Sequence, residues 1–230
     1  MRVLLADQLD QSAVAALEAG GATVVSAPER SAEDLPEHIA GFDVLVVRST
    51  KVTAATLEAA DRLSLVVRAG AGVENIDTAA ASALGIHVSN VPGRNAIAVA
   101  ELTMGLLLAV DRRLADGAAD LRAGRWRKKE YSEADGLFGK TLGIVGLGDI
   151  GLAVAERAKA FGLAVVGLRR ARLADSEQRV RSIGVRLVDT LEELFDASDV
   201  VSVHVPGGDE TRGLIGAALL DRLLPHGILL

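Results

Sequence analysis

The stretch KTLGIVGLGDIG, Lys140 to Gly151, decides how the rest of this 230-residue chain is read. A short apolar run, Leu142 to Val145, leads into Gly146, Gly148 and Gly151 at GxGxxG spacing, and an alanine-rich helical pattern follows from Leu152 to Phe161. Each glycine has a purpose: Gly146 permits a tight turn off a strand, Gly148 clears the backbone for a pyrophosphate, and Gly151 lets the helix pack close to the sheet. The helix's first N–H groups and its positive dipole end then face the phosphates. With 24 glycines in the chain, spacing alone proves little. Its place between a predicted strand and helix, with a second strand from Leu163 to Leu168, makes it a dinucleotide fingerprint rather than a plain glycine turn.

That second strand ends Gly167-Leu168-Arg169-Arg170, with Arg172 close behind. An NAD site usually places Asp or Glu about 20 residues after the first glycine to accept the ribose hydroxyls. No carboxylate stands there. Two guanidinium groups suit a 2′-phosphate, which they grip bidentately, so Arg169 and Arg170 favour NADP over NAD; a solvated basic loop is the other reading.

Half of the residues are hydrophobic and only 3% are aromatic, enough apolar material for one large or two modest cores. The net charge of −6 argues against a general nucleic-acid surface, and the basic run Arg122 to Lys129 around Trp126 reads as a solvated helix end. Without cysteine there is no disulfide and no thiolate metal site, which fits a reducing cytoplasm. His38, His87, His204 and His226 are scattered with no metal-ligand spacing, so no metal is expected. His204 reads as a packed or hydrogen-bonded side chain. The opening MRVLLADQLD lacks a signal-peptide pattern, and the apolar stretch Ala96 to Val110 is interrupted by Glu101 and too short to span a bilayer. The expectation is a soluble, cytoplasmic protein.

Upstream of the fingerprint, short apolar runs alternate with helical patterns. Strands are predicted at Val3 to Ala6, Thr23 to Ser26, Val44 to Val47, Leu65 to Arg68 and Ile86 to Ser89. Helices are predicted near Ser12 to Ala19, Ala32 to Ala40, Thr53 to Ala60 and Ile76 to Leu84. Continuous apolar strands separated by helices imply a parallel sheet covered on both faces. Pro92 and Gly93 mark a crossover into a long helical pattern, Ala96 to Leu114, apolar on too many sides for an ordinary surface helix. Burial between domains or between subunits, hence a homodimer, is the expectation. Further strands are predicted at Val185 to Val188, Val200 to Val205 and Ile228 to Leu230. The fold class is therefore α/β, with two doubly wound parallel-sheet domains: a flavodoxin-like domain over 1–94 and a Rossmann domain over 95–230.

Ligands of open α/β sheets bind beyond the carboxyl ends of the strands. Arg48-Ser49-Thr50-Lys51 follows the third strand, and Arg68-Ala69-Gly70-Ala71-Gly72-Val73 follows the fourth. Small residues at Gly70 to Gly72 leave N–H groups exposed, either as an anion-binding nest or as a flexible turn.

VRSTKVT, VVRAGAGVENID, NVPGRNAIAVAELTMGLLLA, GKTLGIVGLGDIG, SDVVSVHVP and ETRGLIG stand in one order along nearly the whole chain. In this the chain resembles the D-2-hydroxyacid dehydrogenases, and within them the phosphoglycerate dehydrogenase branch. The resemblance implies hydride transfer between a nicotinamide cofactor and a small 2-hydroxy or 2-keto acid, as in serine biosynthesis. The substrates it leaves open are 3-phosphoglycerate, glycerate or hydroxypyruvate, and glyoxylate. It implies substrate contacts at Arg48 and Ser49, a carboxylate held by the backbone of Gly70, Ala71, Gly72 and Val73, and Asn95 bordering the same cleft. Ala71, Asp149, Ile150, Val205 and Pro206 would line the cofactor site together with Gly146, Gly148 and Gly151. Two positions depart from the pattern: Asp149 stands where the family often has Arg, and Arg169 where phosphoglycerate dehydrogenases generally carry Asp.

The family's Arg, Glu and His, which orient the substrate and move its proton, lie beyond the position matching Leu230, as does the segment completing the first domain. The resemblance thus implies a C-terminally incomplete chain in which no residue is assigned as catalytic, and a chain inactive as it stands. A nucleotide-sensing, corepressor-like binding protein of the same fold is the rival reading. Intact Arg48 and Gly70 to Val73 elements favour the enzyme.

Overall fold

A computed structural model describes residues 1–169 and 177–230, and the chain divides into two compact units, Met1–Arg94 and Asn95–Leu230. Arg170 and Arg172 lie outside the described residues.

The first unit runs β1 (Arg2–Leu5), α1 (Gln11–Ala19), β2 (Thr23–Ser26), α2 (Leu35–His38), β3 (Val44–Val47), α3 (Ala54–Glu58), β4 (Leu65–Arg68), α4 (Thr78–Ala83) and β5 (His87–Ser89). Every pairing is parallel, in the order β2-β1-β3-β4-β5. That is the flavodoxin-like order, and its chain reverses direction across the sheet between β1 and β3. Period-two alternation divides the strand residues between two cores. Leu4, Leu45, Val47 and Val66 pack with Leu35, Ile39, Leu57 and Ala81, while Val3, Leu5, Val44 and Val46 pack with Val14 and Leu17 of α1. Fully burying each such Val or Leu contributes about 1.5–3 kcal/mol, so both faces of the sheet must be covered. Side-chain oxygens of Asp10, Thr53 and Asp77 cap α1, α3 and α4. The helix expected over Ala32 to Ala40 is shorter. The Ser31 N–H and Oγ both donate to the Asp34 carboxylate, at 3.0 and 2.8 Å, closing a turn before Leu35.

The second unit runs α5 (Ala96–Asp111), α6 (Leu114–Arg122), a 3-10 turn (Glu130–Ser132), β6 (Thr141–Val145), α7 (Asp149–Ala160), β7 (Ala164–Leu168), α8 (Glu177–Ile183), β8 (Arg186–Val188), α9 (Leu191–Asp196), β9 (Val200–Val203), α10 (Ala217–Leu220) and β10 (Ile228–Leu229). Its sheet is parallel, ordered β10-β9-β6-β7-β8. Counted from β6 this is the Rossmann arrangement, with its switch point between β6 and β9. Leu142, Ile144, Val165 and Val200 pack under α5, α7 and α8; Val145, Val166, Val188 and Val201 pack under α9 and α10. Gly143 faces α9, where a Cβ would overlap Leu194 and Ser198, so its missing side chain sets how closely α9 lies on β6. The Thr141 N–H donates to Asp199 at 2.8 Å and ties the start of β6 to the start of β9.

One expectation changes here. The single helix over Ala96 to Leu114 is two helices, because Arg113 adopts a left-handed conformation at φ 49°. Asp111 closes α5 by accepting the Gly136 N–H at 3.0 Å and pairing with Arg112 at 3.0 Å. One face of α5 is buried through Ala100, Met104 and Leu107, but Ile97, Leu102, Leu106 and Val110 are exposed. The basic run beyond α6 is exposed throughout, as expected of a solvated helix end, and it is also tethered: Arg125 donates to Asp120 through Nε at 2.8 Å, and Tyr131 OH donates to the same carboxylate at 2.7 Å. Among the described residues no helix is long and apolar enough to cross a membrane, and no group of three or more His, Asp or Glu is placed to hold a metal.

Candidate functional site

The fingerprint glycines sit where β6 turns into α7, and each can be asked what a side chain there would meet. Gly146 has φ +107°, and a Cβ would overlap the His204 carbonyl, so the turn and the neighbouring strand end both demand glycine. At Gly151 a Cβ would overlap the Gly146 carbonyl oxygen, which fixes α7 against its own entry turn. Gly148 differs. Its φ of −79° suits any residue, and nothing lies within 4 Å of where its Cβ would stand. The fold gives no reason for glycine at 148.

That open space lies at the N-terminus of a 12-residue helix whose cap residue, Gly148, offers no side-chain hydrogen bond. The N–H groups of Asp149, Ile150 and Gly151 precede the first donors that an α-helix can satisfy internally. Donors and dipole together favour an anion at this helix end. Leu147 holds the loop down by packing against Gly167, where a Cβ would strike it. Helix α7 starts at Asp149, three residues before the predicted start, so Asp149 occupies its first turn, where a carboxylate is favoured by the dipole. Val205 and Pro206 follow β9 on the other side of the switch point. Strand β9 stops at Val203 rather than Val205, although the His204 N–H still donates to Val145 O at 2.8 Å. The His204 ring turns inward to Ser202 Oγ at 2.8 Å, and burial lowers its pKa below the usual 6.5. This is a packed, hydrogen-bonded histidine. Arg169 directly follows β7, and its Nε donates to Asp189 Oδ1 at 3.0 Å.

In the first unit, Arg48 and Ser49 are exposed beyond β3, and Gly70 to Val73 lie beyond the adjacent β4, with Val47 paired to Arg68. The two loops therefore share one end of the sheet. Sequence reasoning missed what holds them. The Asp7 carboxylate, just past β1, accepts the N–H groups of Arg48, Ser49 and Thr50 at 2.7, 3.1 and 3.1 Å. Burial alone would raise the Asp7 pKa; the three backbone donors outweigh it and hold the carboxyl below its usual 3.8. Asn75 Nδ2 donates to Thr50 O at 2.8 Å and Arg68 Nε to Arg48 O at 3.1 Å. With its backbone fixed and its guanidinium in no ion pair among the described residues, Arg48 projects into solvent.

The glycine loop is anchored by its carbonyls. Val91 N–H donates to Gly70 O at 2.9 Å, Asn90 Nδ2 to Ala71 O at 2.5 Å, and Ile76 N–H to Val73 O at 2.9 Å. The N–H groups of Ala71, Gly72 and Val73 donate to no acceptor among the described residues. Carbonyls held back and amides left over are the polarity of an anion nest. The Arg68 guanidinium and the Glu74 carboxylate lie against Gly70 and Gly72, where a Cβ would strike them. Asn95 is the N-cap residue of α5 in the second unit, and its side chain does not cap the helix.

These local geometries can be tested by substitution. Gly148→Ala leaves unfolding stability within about 0.5 kcal/mol but weakens dinucleotide binding at least about tenfold, whereas Gly151→Ala destabilises the unit by about 1–3 kcal/mol. Thermal unfolding and dinucleotide titration of both variants separate the roles; unchanged binding in Gly148→Ala contradicts the ligand explanation. For Asp7, a folded pKa below 3.8 means that its stabilisation is complete above that value and is lost as pH falls through the lowered pKa. Because Asp7 is half-buried and its bonds are to exposed or part-buried amides, Asp7→Ala costs about 1 kcal/mol at pH 7, shrinking toward pH 3. Urea unfolding at the two pH values checks this, and an equal cost at both would contradict it.

A family model described as "D-isomer specific 2-hydroxyacid dehydrogenase, NAD binding domain" matches residues 104–230. The chain is 41% identical over 230 residues to a D-3-phosphoglycerate dehydrogenase of Methanocaldococcus jannaschii, a match covering 100% of this chain and 43% of that protein. It is 41% identical over 223 residues to a hydroxypyruvate reductase of Thermotoga maritima, covering 96% of this chain and 70% of that one. Among solved structures, the TT0316 protein of Thermus thermophilus superposes with a TM-score of 0.86 at 34% identity, over 100% of this chain and 72% of that chain. The chain thus spans less than half the length of the phosphoglycerate dehydrogenase it matches. With its glycine fingerprint, its Rossmann sheet and these likenesses, the chain belongs to the D-isomer-specific 2-hydroxyacid dehydrogenase family.

Proposed function

We propose that this chain carries the dinucleotide-binding and substrate-holding parts of an oxidoreductase acting on a D-2-hydroxy acid or its 2-keto form. The observation that carries the reading is Gly148, a glycine with ordinary φ and nothing within 4 Å of its Cβ position, in front of the open N-terminus of α7. When bound, a nicotinamide dinucleotide supplies or accepts the hydride exchanged with the hydroxyl-bearing carbon. The residues here do the holding. Gly148, Asp149, Ile150 and Gly151 take the pyrophosphate, Gly146, Val205 and Pro206 shape the switch point, and Arg169 meets the adenosine ribose.

For the substrate, the amides of Ala71, Gly72 and Val73 hold its carboxylate, and Ser49 and Arg48 meet its remaining polar groups. Arg48 suits a second anionic group such as a phosphate. The names of the relatives support 3-phosphoglycerate and hydroxypyruvate as substrates, with glycerate and glyoxylate in the same chemical class. We place the protein in the cytoplasm.

Arg169 gives the cofactor a preference: NADP(H) binds at least as well as NAD(H), and Arg169→Asp shifts the balance toward NAD(H). Calorimetric titration of the chain with both dinucleotides measures this; a clear NAD(H) preference in the unmutated chain contradicts it. The exposed stripe Leu102, Leu106 and Val110 on α5 supports a homodimer. Light scattering at micromolar concentration is expected to give twice the monomer mass, with Leu106→Glu monomeric. A monomeric parent contradicts the assembly.

A further inference from the structure

The far end of the Rossmann sheet carries a charge pair that the fingerprint does not call for. Strands β7 and β8 pair in parallel with Leu168 opposite Val188, so the next residues, Arg169 and Asp189, leave the sheet side by side. Backbone contacts fix both. The Arg169 N–H donates to Val188 O at 2.8 Å. The Asp189 N–H donates to Glu193 Oε2 at 3.0 Å, and the Glu193 N–H to Thr190 Oγ1 at 3.1 Å, a reciprocal cap at the start of α9. The backbone of Asp189 is thereby placed beside that of Arg169 by the sheet register and a helix cap.

The pair does little for the fold. Its side chains are 58% and 74% exposed, and ion pairs that open to water add little stability. Its location is what gives it a use. In a Rossmann unit the end of the second strand faces the adenosine ribose, whose 2′ position is either a hydroxyl, needing an acceptor, or a phosphate, needing a cation. Arg169 serves the phosphate. Among the described residues the end of β7 offers no carboxylate for the hydroxyl, but Asp189 brings one to the same place from the third strand.

We infer that Asp189 is a specificity-determining residue: it accepts the ribose hydroxyl of NAD(H), and by pairing with the Arg169 guanidinium it limits the advantage of NADP(H). The inference rests on the dinucleotide reading of the fingerprint. One carboxylate thus works on both cofactors in opposite directions, and the chain accepts either.

The test is direct binding of NADH and NADPH, by calorimetry, to the unmutated chain, Asp189→Ala, Arg169→Ala and the double variant, with thermal unfolding of each as the control for folding. Asp189→Ala is expected to raise the NADPH-over-NADH affinity ratio about tenfold, combining a gain for NADPH with a loss for NADH. In the Arg169→Ala background the NADPH gain disappears while the NADH loss remains. An unchanged ratio in Asp189→Ala, or an NADPH gain that persists without Arg169, overturns the role of Asp189 and leaves the dinucleotide site standing. Failure of the unmutated chain to bind either dinucleotide overturns the site and this inference together.

Discussion

Unsatisfied backbone N–H groups, brought to the ends of parallel strands and left without acceptors among the described residues, are what the functional geometry of this chain depends on. A parallel sheet sends each strand into a loop at the same edge, and each loop must place its amides somewhere. At the entry to α7 they are left facing open space in front of Gly148. The surrounding packing keeps them there: Gly146 accepts the close approach of the His204 carbonyl, Gly151 that of the Gly146 carbonyl, and Leu147 is pressed onto Gly167. A glycine missing from any of these contacts would move the amides; a side chain at 148 would only cover them.

The first unit applies the same chemistry twice, with opposite results. At its own switch point, between β1 and β3, the amides of Arg48, Ser49 and Thr50 are already taken by the Asp7 carboxylate. The protein's own anion fills that site, and the loop becomes a rigid support for the Arg48 side chain. One strand further, the carbonyls of Gly70, Ala71 and Val73 are tied back by Val91, Asn90 and Ile76, while the amides of Ala71, Gly72 and Val73 remain available. The two loops differ in whether a side-chain carboxylate accepts their amides.

What the sequence shows of this follows the range of the forces involved. The strands are legible because a run such as Val44–Val47 carries its burial in its composition, and it appears with those bounds. The fingerprint is legible because strand, turn and helix are consecutive. Asp7 was not, since its partners are 41 to 43 residues away and a lone aspartate after a strand carries no signal. The Arg169–Asp189 pair was half legible: the arginine occupies a recognisable position, but its partner comes from the next strand, set by sheet register. Strand β9 ends early because the neighbouring β6 has already turned at Gly146 and offers no further partner beyond Val145 O. The break at Arg113 was hidden because a left-handed conformation is rare for a residue other than glycine, and the apolar pattern runs through it.

The central claim is that the amides in front of Gly148 bind the dinucleotide, and amide-resolved NMR addresses it atom by atom. Titrating the ¹⁵N-labelled chain with NADPH is predicted to shift the backbone resonances of Gly148, Asp149, Ile150 and Gly151 together, on one saturable curve. Resonances there that stay in place, with the largest shifts instead in the basic run from Arg122 to Lys129, would contradict it.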